Sequence, residues 1–124
     1  MPERILLCYI NEKTRAGKRL LSVMDGVVPQ SQVAVYRRIK DLYRELFQVP
    51  GMDFIILLLA HHRKEVEKIL AFKDLLLDHR IILIVPHGDR KSVAMGHSLY
   101  PRFMTFTDSD FSDVRAVVAK MIRG

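Results

Sequence analysis

Seven polar residues stand at or just beyond the ends of short apolar runs, where a side chain is free to meet a ligand. They are Asn11 and Glu12 after the first run, His61 and His62 after the third, His87 after the fourth, and Thr105 and Thr107 around the end of the fifth. Three readings are open to this set. Imidazoles beside a carboxylate are a donor set for zinc and other borderline metals. An imidazole beside the free amides at the start of a following helix can hold an anion. Histidines in polar loops can also do neither. Adjacent histidines such as His61 and His62 usually point in different directions, and no HxH or HxxxH spacing fixes two on one face. Ordinary loop histidines are therefore the working reading, with no metal and no cofactor assigned. The seven residues remain a candidate pocket. His79 and His97 fall in connecting segments and attract no hypothesis.

The elements that would gather such a pocket are legible in the hydropathy. Apolar runs at 5–10, 32–36, 54–59, 81–85 and 102–106 alternate with stretches of helical spacing. Strand–helix alternation across a whole small chain predicts a parallel sheet covered by helices on both faces. Runs 54–59 and 81–85 are almost continuously apolar, as central strands buried on both sides must be. Runs 32–36 and 102–106 alternate, as edge strands do; Phe103 and Thr105 share one face, Met104 and Phe106 the other. The predicted fold is a three-layer α/β/α, flavodoxin-like domain spanning residues 1–124, with a five-stranded parallel sheet of order 2-1-3-4-5. Ligands of such sheets bind at the carboxyl ends of the strands, near the point where strand order reverses. The seven polar residues belong to that rim.

Helical stripes supply the covering layers. Ala16, Leu20, Val23, Met24 and Val27 mark the first helix, with Gly26 near its end. Ile39, Leu42, Tyr43, Leu46 and Phe47 mark the second, stopped by Pro50 and Gly51. In the third, Val66, Ile69 and Leu70 face the core; the helix is expected to continue through 72–77 and turn near Asp78 and His79. The fourth is short, capped by Asp89 or Ser92 and ended by Gly96. The fifth carries Phe111, Val114, Val117, Val118, Met121 and Ile122, capped by Asp108 or Asp110. These stripes read as core faces, and none requires a cofactor.

Composition bounds the function. A chain of 124 residues is one domain, and 49% apolar content is ordinary for a globular protein. No apolar run approaches the ~20 residues of a membrane span. The N-terminal residues lead straight into a strand and lack a signal-peptide pattern. The single cysteine, Cys8, lies within the first strand and reads as a small hydrophobe. A cytoplasmic protein is the expectation. The net charge of +6 invites a nucleic-acid reading, centred on the dense stretch Tyr36-Arg37-Arg38-Ile39-Lys40. However, the cations are spread over several helices with Glu45, Glu65, Glu67 and Asp74 among them, which favours a solvated basic surface. Familiar catalytic motifs are missing. Arg15-Ala16-Gly17-Lys18-Arg19 lacks the leading glycine and the Ser/Thr of a phosphate loop, and no G-x-S-x-G elbow occurs. Cys8 is followed by Tyr9 and Ile10 within the strand, so it is not placed as a loop nucleophile.

Strand order, element lengths and the spacing from Val33 through Ile56 resemble the receiver domain of bacterial two-component response regulators, over essentially the whole chain. The short fourth helix and strong fifth helix fit as well. The resemblance implies a signalling module, not an enzyme, that acts through protein partners. The receiver motifs depart from the pattern at each diagnostic position. Where a receiver has magnesium-holding acids, this chain has Asn11 and Glu12; where it has the phosphate-accepting aspartate, this chain has Leu59-Ala60-His61. Val85-Pro86-His87 replaces the Ser/Thr after the fourth strand, and Thr105-Phe106-Thr107 replaces the lysine after the fifth; Asp53 is at the wrong end of its strand. Phosphoryl transfer to a carboxylate needs the nucleophile, hard oxygen ligands for the metal and a cation for the developing charge. The expectation is a pseudo-receiver without a phosphoacceptor. Its interface, for a partner or a homodimer, is expected on the fourth helix, fifth strand and fifth helix, with Leu99 and Tyr100 as anchors. The alternative is a module that binds a small molecule, nucleotide or anion at the strand ends; nucleic-acid binding through the second-helix region ranks below it.

Overall fold

A computed structural model describes residues 4–49 and 51–123. Five strands, β1 (Leu6–Tyr9), β2 (Val33–Tyr36), β3 (Ile55–Leu59), β4 (Arg80–Val85) and β5 (Phe103–Phe106), alternate with five helices. The helices are α1 (Arg15–Met24), α2 (Ile39–Gln48), α3 (Arg63–Leu70), α4 (Arg90–His97) and α5 (Ser112–Arg123). All strand pairs are parallel and the order is β2-β1-β3-β4-β5, as the alternation predicts. Among the described residues, no helix is long and apolar enough to cross a membrane.

The period of two along each strand divides the core between the two faces of the sheet. On one face, Leu7, Ile56, Leu58, Leu83 and Val85 meet Leu42 and Leu46 of α2 and Val66 and Ile69 of α3. On the other, Leu6, Cys8, Leu57, Ile82 and Ile84 meet Ala16 and Leu20 of α1 and Val114 and Val118 of α5. The edge strands β2 and β5 are only half-buried, which is why their sequences alternate.

Three expectations about the helices need correction. First, α3 does not continue through 72–77. It ends at Leu70, and a separate 3-10 turn, Lys73–Leu75, follows. The Tyr43 hydroxyl donates to the Ile69 carbonyl, which a longer helix would need for its next turn. Leu76 then enters the core, while Phe72 is 58% and Leu77 40% exposed. Second, Phe47 is not a core residue. The buried face of α2 is Leu42, Tyr43 and Leu46, and Phe47 overhangs its margin at 76% exposure because α3 stops short of covering it. Third, Gly96 lies inside α4, which runs one residue further. A Cβ there would come within 2.6 Å of Leu83 Cδ2 and 2.9 Å of Met104 Cε. Gly96 is therefore a close-approach glycine that lets α4 sit on the sheet. Pro50, expected to stop α2, lies outside the described residues. Asp110, not Asp108, serves α5 by accepting from the Ser112 amide at 2.9 Å.

Candidate functional site

The carboxyl ends of β1 and β3 are joined by a chain of hydrogen bonds that begins at Thr14. Thr14 is the N-cap of α1; its Oγ1 accepts from the Gly17 amide at 2.9 Å. The same hydroxyl donates to the Asn11 carbonyl at 2.8 Å, which uses its single proton. The 2.8 Å contact between Thr14 Oγ1 and His61 Nε2 must then be a donation from the imidazole, which assigns His61 as the Nε2–H tautomer. The His61 amide donates to Glu65 Oε1 at 2.9 Å, and the Tyr9 hydroxyl donates to Glu65 Oε2 at 2.7 Å. Glu65 occupies the first turn of α3, where the helix dipole favours a carboxylate. Burial pushes the His61 imidazole below its ordinary pKa. Burial, then the neighbouring Glu65, push the Tyr9 hydroxyl up. The strand-end cleft is thus closed by neutral imidazole and phenol around one satisfied carboxylate.

The seven residues of the candidate pocket do not assemble as one site. Asn11 is half-buried, and its Oδ1 accepts from the Lys13 amide at 3.1 Å. Glu12 turns outward and pairs with Arg37. The His62 side chain is 67% exposed, with Nε2 3.7 Å from Glu65 Oε1. His87 belongs to a second group near β4 and β5. Its Nδ1 lies 3.2 Å from Asp108 Oδ2, its ring meets the edge of Phe106, and its amide donates to Thr107 Oγ1 at 3.3 Å. Thr105 is buried within the sheet, opposite Ile84. The adjacency of β3 and β4 is therefore insufficient to bring His87 to His61 or His62. The loops after those strands are tied instead by Arg63 and Asp89, through two hydrogen bonds of 3.0 and 2.6 Å. Among the described residues, no three His, Cys, Asp or Glu side chains form a group able to hold a metal ion.

The start of α4, considered above for an anion, carries a carboxylate of its own. Asp89 stands at the N-cap and accepts from Ser92 Oγ at 2.7 Å. The Arg63 guanidinium first, and the Ser92 hydroxyl second, hold Asp89 well below the usual carboxylate range. Beyond β5, Arg19 reaches over from α1 and donates to the carbonyls of Thr107 and Ser109 while covering the Phe111 ring. Cys8 is buried, and desolvation pushes its thiol up to about 12, so it has no thiolate to offer.

The expected interface anchors separate. Leu99 is fully buried among the side chains under α4, because the chain folds back after Gly96 to seal that end of the core. Tyr100, before the amino end of β5, is 81% exposed with φ of +49°, and Phe106, at the carboxyl end of β5 against His87, is 38% exposed. Leu99 is thus a core residue, and of the two expected anchors only Tyr100 is exposed.

Tyr9, Thr14 and Glu65 lie outside the candidate pocket that the sequence suggests. For two of them the sequence carries a signal. Thr14 precedes a helical stripe, the position of an N-cap, and Glu65 follows His61 by four residues at a helix start. His79 also has an unexpected role: Nδ1 accepts from the Phe54 amide at 3.2 Å, anchoring the entry to β3. Burial pushes the His79 imidazole down as it does His61.

The two lowered histidines give a signed pH dependence. Below the ordinary histidine pKa of about 6.5 the unfolded chain binds protons that the folded chain resists, so stability falls as pH falls. Thermal midpoints measured between neutral and mildly acidic pH are expected to drop through and below that value. The His79→Asn variant should have a flatter profile. A profile that is level across this window in the parent protein would contradict the assignment.

No protein-family model and no curated protein matches the sequence. Two solved structures are similar in fold. One is the phosphorylated cyanobacterial phytochrome response regulator RcpA, with TM-score 0.59, 11% identity, and coverage of 96% of this chain and 91% of that chain. The other is a two-component response regulator from Legionella pneumophila, with TM-score 0.62, 11% identity, and 96% of both chains covered. The chain has the receiver fold.

Proposed function

We propose that this domain is a pseudo-receiver, a signalling and protein-interaction module that has kept the receiver scaffold without its phosphotransfer chemistry. The observation that carries this reading is the Thr14–His61–Glu65–Tyr9 network across the ends of β1 and β3. Every carboxylate near the strand ends of β1, β3 and β4 has a partner: Glu12 has Arg37, Glu65 has Tyr9 and the His61 amide, and Asp89 has Arg63 and Ser92. A hard cation such as magnesium needs oxygen ligands that are free to face it. Both oxygens of Glu65 and both of Asp89 are bonded, so reaching them would first require breaking a charge-assisted hydrogen bond, and Glu12 leaves only the one oxygen that Arg37 does not hold.

The module would dock a protein partner through α4, β5 and α5. Tyr100 before β5 and Phe106 at its far end each expose an aromatic ring on that edge, of the kind that anchors interfaces. The test is an amide-resolved titration with magnesium chloride. The resonances of residues 9–14, 60–65 and 105–109 are expected to stay in place at millimolar magnesium. Saturable shifts confined to those loops would overturn the reading.

A further inference from the structure

We infer that His79 is an acid-sensitive latch: its neutral ring fastens the buried entry to β3, and a proton on Nδ1 releases the ring to the carboxylates beside it. The device lies at the opposite end of the sheet from the Thr14–His61 network and shares no residue with it.

The latch follows from which atom accepts. The Phe54 amide donates to His79 Nδ1 at 3.2 Å. A backbone N–H can only donate, so Nδ1 carries a lone pair and the ring proton sits on Nε2. The two rings also pack, with centroids 5.5 Å apart. His79 immediately precedes β4, and the next residue, Arg80, donates its own amide to the Phe54 carbonyl at 3.1 Å. The imidazole thus adds one further bond between the start of β4 and the entry to β3. Phe54 is buried, and a buried N–H needs an acceptor. A second proton on the ring has only Nδ1 to occupy. The closed arrangement and the imidazolium therefore exclude each other.

The released ring has a place to go. Burial lowers the His79 pKa most, and Asp53 and Asp78 oppose it. With Asp74 of the 3-10 turn, these two carboxylates and His79 line a recess of about 400 Å³. The end of α2 contributes Leu46 and Val49 to it, which carry no charge. Glu45 of α2 is held by Arg4 and the Tyr36 hydroxyl. Arg80 has Nε 3.5 Å from Asp53 Oδ1, while its Nη1 donates to the Met121 carbonyl of α5. Three carboxylates against one cation favour an imidazolium turned into the recess. Below the ordinary histidine value of about 6.5 the open form binds a proton that the closed form cannot. The ratio of open to closed then rises by up to about tenfold for each pH unit.

The test is amide hydrogen exchange of the whole chain from neutral to mildly acidic pH. Protection factors are compared, so that the intrinsic pH dependence of exchange cancels. The Phe54 factor is expected to fall by up to about tenfold per unit below the midpoint at which the His79 ring resonances titrate. The Ala60 amide, bonded to the Ile84 carbonyl at 2.9 Å just beyond the other end of β3, reports on the fold as a whole and should fall less. His79→Asn, whose amide oxygen can take the place of Nδ1 without titrating, should abolish the difference between Phe54 and Ala60. His79→Phe supplies a second variant: it keeps ring packing without an acceptor, so Phe54 should be poorly protected already at neutral pH. Phe54 and Ala60 losing protection in parallel in the parent would overturn the inference. So would a difference that persists in His79→Asn, or ring resonances that place the neutral proton on Nδ1.

Discussion

Replacing Leu57 with alanine is expected to lower stability by about 2–5 kcal/mol, the sum of lost transfer free energy and the cavity left behind. Leu57 is fully buried in β3, with Cys8 and Ile82 as its register partners on either side. Its side chain points to the face covered by α1 and α5. Neighbours held in two sheet ladders cannot relax inward to fill the gap, which puts the cost toward the upper half of that range. Ile82→Ala should behave alike, whereas Ile82→Val should cost about 0.5–1.5 kcal/mol. Because the two side chains touch the same space, the double variant should lose less than the sum. Urea midpoints with unchanged slopes check this. Midpoints that do not move in either alanine variant would contradict the core assignment.

The second large effect has the opposite sign from what helix propensity suggests. Gly→Ala in an exposed helix interior gains about 1 kcal/mol. Gly17→Ala in α1 is expected instead to cost about 1–3 kcal/mol, as overpacking does. An added Cβ would lie 1.9 Å from the Asn11 carbonyl oxygen, 2.7 Å from its carbon and 2.8 Å from Thr14 Oγ1. The Asn11 carbonyl is held in place by the Thr14 amide and hydroxyl, so it cannot swing aside without releasing the cap. Losing that geometry also frees His61 from Thr14. The His61 ring in this variant should therefore titrate closer to the ordinary histidine value than in the parent. Chemical denaturation and the histidine ring resonances read the two consequences separately. A Gly17→Ala protein as stable as its parent would show that the loop after β1 tolerates what its geometry forbids.

Particular residues show where sequence was informative and where it was not. The five strands were legible because a strand buried on both faces must be apolar at every position, as 55–59 and 81–85 are, and edge strands must alternate. Each predicted strand agrees with the structure to within a residue at either end. The α2 stripe was legible in type but not in extent. Phe47 continues the helical spacing, but its burial depended on whether α3 would extend far enough to cover it. That depended on where α3 gives way to the 3-10 turn, which periodicity does not encode. Gly96 and Gly17 were read by the usual rules for glycine, as a helix end and as a fragment of a failed motif. Both are determined by how closely a helix approaches another part of the backbone or the sheet.

The candidate pocket was legible only as a rim. Strand order placed Asn11, His61, His87 and Thr107 at the same end of the sheet, correctly. It did not reveal that His61 turns to Thr14 while His87 turns to Asp108, because side-chain direction in loops follows local hydrogen bonds. The chemistry that fills the cleft comes from Tyr9 and Glu65, which a search confined to post-strand residues passes over. Leu99 was misread for a related reason: an apolar residue in a loop is a candidate anchor until the fold-back of that loop into the core is known.

The claim at the centre of this account is that the strand ends hold a receiver scaffold without an acceptor for phosphate. Incubation with acetyl phosphate and magnesium, followed by intact-mass measurement under non-acidic conditions, tests it directly. The expected spectrum is the unmodified chain alone. A stoichiometric, alkali-labile phosphoryl adduct, as an acyl phosphate is and a phosphohistidine is not, would contradict the account, since it would require a nucleophilic carboxylate at strand ends where Glu12, Glu65 and Asp89 are each already paired.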